Sequence, residues 1–141
     1  MPAGLRSAIL LAIGGGWGTA AMALSGKRVL VVEDESLVSM LIEEFLEDMG
    51  CTVAGVAGRI EEAALLAETL AVDLAVLDVN LDGTPSYRVA EALGRRGIPF
   101  VLATGYGGAA LPRALQAARV LTKPFTRDQL EAALAAASDG R

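Results

Sequence analysis

A chain of 141 residues with 17 acidic and 12 basic side chains has a formal net charge of −5, so it offers no cationic stripe to a phosphodiester backbone and argues against nucleic-acid binding. Hydrophobic residues make up 53 % and aromatics only 4 %, a balance rich in Ala and Leu that suits helices packed on a buried sheet in one domain. Histidine is absent and Cys51 is the single cysteine, which excludes Ser-His triads, His-ligated zinc, an internal disulfide and a phosphohistidine of the chain's own. Cys51 reads as a small buried hydrophobe in a protein of a reducing compartment.

Residues 1–26 carry one charge, Arg6, an apolar run over Ala8–Ile13 and several glycines. Arg6, that run and Ala21-Met22-Ala23 mimic the three parts of a targeting segment, but the run is too short to cross a membrane. The reading adopted is an N-terminal extension, disordered or preceding a start at Met22, with the domain over residues 27–138. From Lys27 onward short apolar runs alternate with amphipathic stretches, the pattern of βα units around a parallel sheet. Val29–Val32 predicts the first strand, and Leu37, Met40, Leu41, Phe45 and Met49 predict a helix stopped by Gly50. Cys51–Val56 and Ile60–Leu70 predict the second unit; Leu74–Leu77 and Tyr87–Leu93, ended by Gly94 and Gly97, predict the third. Phe100–Ala103 is the fourth strand, followed by a glycine-rich stretch that leaves only Pro112–Ala118 for a weak helix. Val120–Leu121 and Thr126–Ala137 complete a doubly wound α/β domain with helices on both faces, and no output module follows.

Glu33 and Asp34 directly follow the first predicted strand and Asp78 the third. In an open parallel sheet these carboxyl ends share one edge, and right-handed crossovers set strands one and three side by side. Carboxylates gathered there repel one another unless a cation joins them, and Mg²⁺ suits a site of few carboxylates, water and phosphate. Thr104 ends strand four and Lys123 ends strand five on the same edge. A carboxylate nucleophile, a hard metal, an ammonium and a hydroxyl are what phosphoryl transfer to an aspartate requires, because catalysis there is mostly positioning and charge neutralisation. In this reading Asp78 attacks phosphorus, while Lys123 and Thr104 hold phosphoryl oxygens.

Four blocks, Val31-Val32-Glu33-Asp34-Glu35, Leu77-Asp78-Val79-Asn80-Leu81-Asp82-Gly83, Ala103-Thr104-Gly105 and Lys123-Pro124-Phe125, resemble in order the signature blocks of response-regulator receiver domains. The resemblance covers about Lys27–Ala137 and implies a five-stranded parallel sheet of flavodoxin-like order 2-1-3-4-5. It further implies phosphorylation of Asp78 by a sensor histidine kinase or a histidine phosphotransfer protein in a two-component phosphorelay, with Mg²⁺ as cofactor. Asp34 then ligates the metal directly, Asn80 through its backbone carbonyl, Glu33 mainly through metal-bound water, and the phosphoacceptor Asp78 completes the set. Lys123-Pro124 is expected as a cis peptide. Ala103-Thr104-Gly105-Tyr106 resembles a subgroup that is often free-standing, which implies a cytoplasmic single domain, monomeric or weakly dimeric, with a downstream protein partner and no membrane or nucleic-acid contact. Such a protein is no enzyme toward other substrates; it gains and loses only its own phosphate. Where most receivers carry a switch aromatic this chain has Val120, so Tyr106 and its loop are expected to replace it. Two rivals stand beside this reading. One is an unphosphorylated pseudo-receiver that binds a partner. The other is a haloacid-dehalogenase-type phosphatase, whose nucleophile loop Asn80-Leu81-Asp82-Gly83-Thr84 resembles except that an amide stands in the nucleophile's place.

Overall fold

A computed structural model describes residues 23–105, 111, 115 and 118–139. Five strands, β1 (Arg28–Val32), β2 (Thr52–Ala57), β3 (Leu74–Asp78), β4 (Phe100–Thr104) and β5 (Arg119–Thr122), form one sheet in the order β2-β1-β3-β4-β5. Every pairing is parallel, as the sequence led us to expect. The central strand β3 is buried along its whole length and β1 and β4 nearly so, the continuous apolar run of strands covered on both faces. Side chains alternate between two cores. Leu30, Val32, Ala75, Leu77 and Leu102 face the helices α2 (Ile60–Thr69) and α3 (Tyr87–Arg95). Val29, Val31, Leu74, Val76 and Val101 face α1 (Ser36–Asp48) and α4 (Arg127–Asp139).

Local chemistry sets the helix ends. At the end of α1, Gly50 adopts φ +83°; its N–H donates to the Glu47 carbonyl at 3.0 Å and that of Cys51 to Leu46 at 3.0 Å. This paired stop needs a glycine in the left-handed region. Gly97 ends α3 in the same way, whereas Gly94, also expected as a terminator, lies within the helix. Thr126 and Gln129 cap α4 reciprocally, the Gln129 N–H donating to Thr126 Oγ1 at 3.1 Å and the Thr126 N–H to Gln129 Oε1 at 2.8 Å.

Two expectations shift. The buried stripe of α1 is Ser39, Ile42 and Leu46, while Leu37 and Met40 are 82 % and 62 % exposed. The face turned to the core is instead Ile42, Leu46 and Met49 with Val38 and Phe45 against them, and Ser39 is buried beside it with its hydroxyl donating to Glu43 Oε2 at 3.3 Å. Packing also begins before Lys27: Leu24 is wholly buried, and its carbonyl accepts from the Cys51 thiol at 3.4 Å. The weak helix expected over 112–118 falls largely outside the described residues, as does Tyr106; Leu111 is buried in the core with α2 and α3. Among the described residues no helix is long and apolar enough to cross a membrane.

Candidate functional site

The carboxyl ends of β1, β3, β4 and β5 open on a cleft of about 550 Å³ whose lining includes Asp34, Asp78, Asn80, Thr104 and Lys123. Neighbouring strands bring these residues together: Asp78 lies in register with Ala103, and Thr104 with Thr122, the residue before Lys123. The peptide Lys123-Pro124 is cis, as expected, and the Lys123 N–H donates to the Thr104 carbonyl at 2.8 Å. From there the Lys123 ammonium reaches Asp78 Oδ2 at 3.0 Å and Glu33 Oε1 at 2.7 Å. The other Asp78 oxygen accepts the Asn80 N–H at 3.1 Å, and Glu33 Oε2 accepts the Glu35 N–H at 3.1 Å.

Burial decides the electrostatics of this group. Glu33 is 3 % exposed, and loss of hydration pushes its carboxyl up to about 7, although Lys123 and the Glu35 N–H pull the other way. Burial alone would lower the Lys123 ammonium; hydrogen bonds to Glu33 and Asp78 outweigh it and raise Lys123 above the usual lysine value. The ammonium is thus the resident counter-ion of two buried carboxylates. Asp78 and Thr104 are themselves buried, at 7 % and 5 % exposure, so the reacting end of the cleft is screened from bulk water.

Asp34 differs: it is exposed, and its Oδ2 accepts the Asp82 N–H at 2.8 Å. That donor comes from a hairpin the strand-by-strand reading missed, Asn80–Leu81 paired antiparallel with Thr84–Pro85. The turn residues Asp82 and Gly83 have φ +49° and +85°, the left-handed pair of a two-residue hairpin, and Asp-Gly between apolar or branched residues is its sequence signal. Asn80 faces Pro85 across the hairpin, one step out from the Leu81–Thr84 pair that flanks the turn. At such a position the main-chain N–H and carbonyl point away from the partner strand, which is why a proline without an N–H is tolerated opposite. The Asn80 side-chain oxygen accepts the Gly83 N–H at 2.8 Å and so braces the turn.

Among the described residues, carboxylate oxygens of Glu33, Asp34 and Glu35 lie within 4.8 Å of one another. Glu35, for which the sequence reading had no metal role, is therefore part of the acidic edge. An all-oxygen set of exposed and buried carboxylates beside an outward main-chain carbonyl fits a hard cation such as Mg²⁺ and not a soft one. Ser86 was also missed: its hydroxyl, in a side chain 1 % exposed, donates to the main-chain carbonyl of Asp78.

The sequence model of the response regulator receiver domain matches residues 29–135. The chain belongs to the response regulator receiver domain family. It is 38 % identical over 133 residues to the transcriptional regulatory protein TcrA of Mycobacterium tuberculosis, covering 89 % of this receiver and 51 % of TcrA. The chain spans about half the length of the curated mycobacterial regulators it matches. Among solved structures, SdrG of Sphingomonas melonis Fr1 shares 43 % identity at a TM-score of 0.70, over 81 % of this receiver and 96 % of SdrG. The receiver domain of the sensor histidine kinase PA1611 of Pseudomonas aeruginosa PAO1 matches at 25 % identity and a TM-score of 0.69, over 82 % and 99 % of the two chains. That structure carries a magnesium ion coordinated in its active-site cleft. Receiver domains are generally not catalytic enzymes, and kinases or phosphotransfer proteins are their partners. Membership removes the dehalogenase-type rival, whose nucleophile place is held by an amide engaged with Gly83.

Proposed function

We propose that this receiver accepts a phosphoryl group on Asp78 from the phosphohistidine of a sensor histidine kinase or a histidine phosphotransfer protein. One observation carries the reading: the Lys123 ammonium sits 3.0 Å from Asp78 and 2.7 Å from Glu33 at the buried end of a cleft edged by acids. One Asp78 oxygen bonds to phosphorus as the phosphorus–nitrogen bond of the donor breaks, and the electron pair leaves with the imidazole nitrogen, which takes up a proton. Lys123, freed from the carboxylate that becomes esterified, pairs with a phosphoryl oxygen, and the Thr104 hydroxyl donates to another. Asp34, Asp78 and the Asn80 main-chain carbonyl, with Glu33 acting through water, would hold Mg²⁺, which would supply charge neutralisation to the transferred group. The acyl phosphate is then lost only by hydrolysis or onward transfer, so the protein works as a switch in a cytoplasmic phosphorelay, read by a downstream protein partner.

Mass spectrometry after incubation with acetyl phosphate and Mg²⁺ tests this. The wild-type chain gains one acid-labile phosphoryl group and Asp78→Asn gains none. Full labelling of the variant overturns the assignment, and an unlabelled wild type favours the unphosphorylated partner-binding reading.

A further inference from the structure

The loop of residues 79–85 carries two groups that serve the cleft: the Asn80 N–H on Asp78 Oδ1 at 3.1 Å and the Asp82 N–H on Asp34 Oδ2 at 2.8 Å. Something must fix where that loop leaves β3 and where it enters α3. Ser86 is the residue at its closing end, and it makes bonds in both directions. Its N–H donates to the Val79 carbonyl at 2.8 Å, and its own carbonyl accepts the N–H groups of Val89 at 3.0 Å and Ala90 at 3.2 Å in the first turn of α3. Its hydroxyl returns to the main-chain carbonyl of Asp78 itself. The side chain is 1 % exposed, so no water competes for this bond, and without it the Asp78 carbonyl would lose a buried donor.

We infer that Ser86 is a positioning residue: by tying the Asp78 main chain to the start of α3, its hydroxyl sets the register at which Asn80 and Asp82 meet the acidic cleft, and hence its affinity for a divalent cation. The consequence for Mg²⁺ rests on the phosphoacceptor reading above; the consequence for the loop does not. Removing the hydroxyl leaves Asp78, Lys123 and Thr104 in place, so it weakens the capture of metal more than the chemistry that follows.

The full chain is compared with Ser86→Ala and with Thr69→Ala, which deletes an exposed hydroxyl-to-carbonyl bond within α2, Thr69 to Leu65 at 2.7 Å, away from the cleft. Titration with Mg²⁺ alone and acetyl-phosphate labelling rates across Mg²⁺ concentrations are measured, together with amide exchange at Asn80 and Asp82 in metal-free protein. In Ser86→Ala the half-saturating Mg²⁺ concentration rises about three- to tenfold, the size expected for one lost hydrogen bond, while the rate at saturating Mg²⁺ stays within about twofold. Exchange at both amides quickens, and Thr69→Ala matches wild type in every readout. Unchanged half-saturation and unchanged exchange in Ser86→Ala, even with a lower Tm, overturn the inference. If wild type binds no Mg²⁺ and takes no label, the phosphoacceptor reading falls and the exchange rates alone decide the role of Ser86. Should the alanine variant not fold, Ser86→Cys, a weaker donor of similar size, is read against the same outcomes.

Discussion

The two walls of the cleft are built on opposite plans. One wall consists of Glu33 and Asp78, both buried, and the half-buried Lys123, at strand ends and joined by short ionic hydrogen bonds. The other consists of Asp34 and a hairpin of four strand residues, exposed except at Leu81 and held by main-chain N–H groups. Charge placed in a screened environment acts strongly but tolerates no vacancy, whereas an exposed carboxylate on a small hairpin exchanges partners cheaply. The first wall is suited to chemistry on phosphorus and the second to admitting and releasing an ion.

Substitutions can break this division. Asp34→Ala has the largest expected effect, removing the carboxylate that the open wall would offer the metal and lowering Mg²⁺ affinity by more than about tenfold, since its contact is to a charged ion. Calorimetric titration checks it, and equal affinity in the variant would show that Glu33 and Glu35 suffice. Lys123→Ala acts on the closed wall alone. Labelling by acetyl phosphate falls while Mg²⁺ affinity is kept or rises, because the variant loses a phosphate partner and also a competitor for the carboxylates. A parallel fall in metal affinity would merge the two walls into one unit.

A smaller effect separates the walls by pH in metal-free protein. Glu33 carries a carboxyl raised from 4.5 to about 7, so its proton is bound more tightly folded than unfolded. Its contribution to stability is complete below pH 4.5 and is lost as pH rises through about 7. Urea unfolding across that window should show declining stability in the wild type and a flatter profile in Glu33→Gln. The smallest effect lies outside the cleft: burial raises the Cys51 thiol from 9.0 to about 11, so alkylation of the native chain stays slow at pH 9. Rapid modification there would show that the core beneath β1 and α1 opens more readily than the hairpin.

The closed wall was legible in the sequence because it depends on strand ends. Apolar runs locate the strands and parallel topology aligns them; Glu33, Asp78 and Thr104 are the residues directly after the first, third and fourth runs, and Lys123 stands two positions after the fifth. The open wall was only half legible. Asp34 was found as a strand-end acid, but its donor Asp82 depends on a turn that reverses the chain, and the Asp-Gly signal stood inside a block read only for its resemblance. Ser86 was invisible for a different reason: a serine before a helix is read as a cap, yet here its hydroxyl bonds backward to the strand and makes no side-chain cap bond. The buried face of α1 escaped for want of a partner, since the pattern of Leu37, Met40 and Leu41 is helical whichever side packs.

Pro85 has a further consequence. The hairpin stands at the mouth of the cleft with an outer edge, and any edge with free N–H groups invites an extended peptide to pair with it. Its outer strand is the two residues Thr84–Pro85, and at the position whose N–H would point outward there is a ring nitrogen with no hydrogen. Under the function proposed above, the docking of a kinase would bring foreign main chain close to this mouth in every cycle. The proline denies such a chain a ladder to extend, so a visiting partner can be held by side chains and released again instead of being zipped into the sheet.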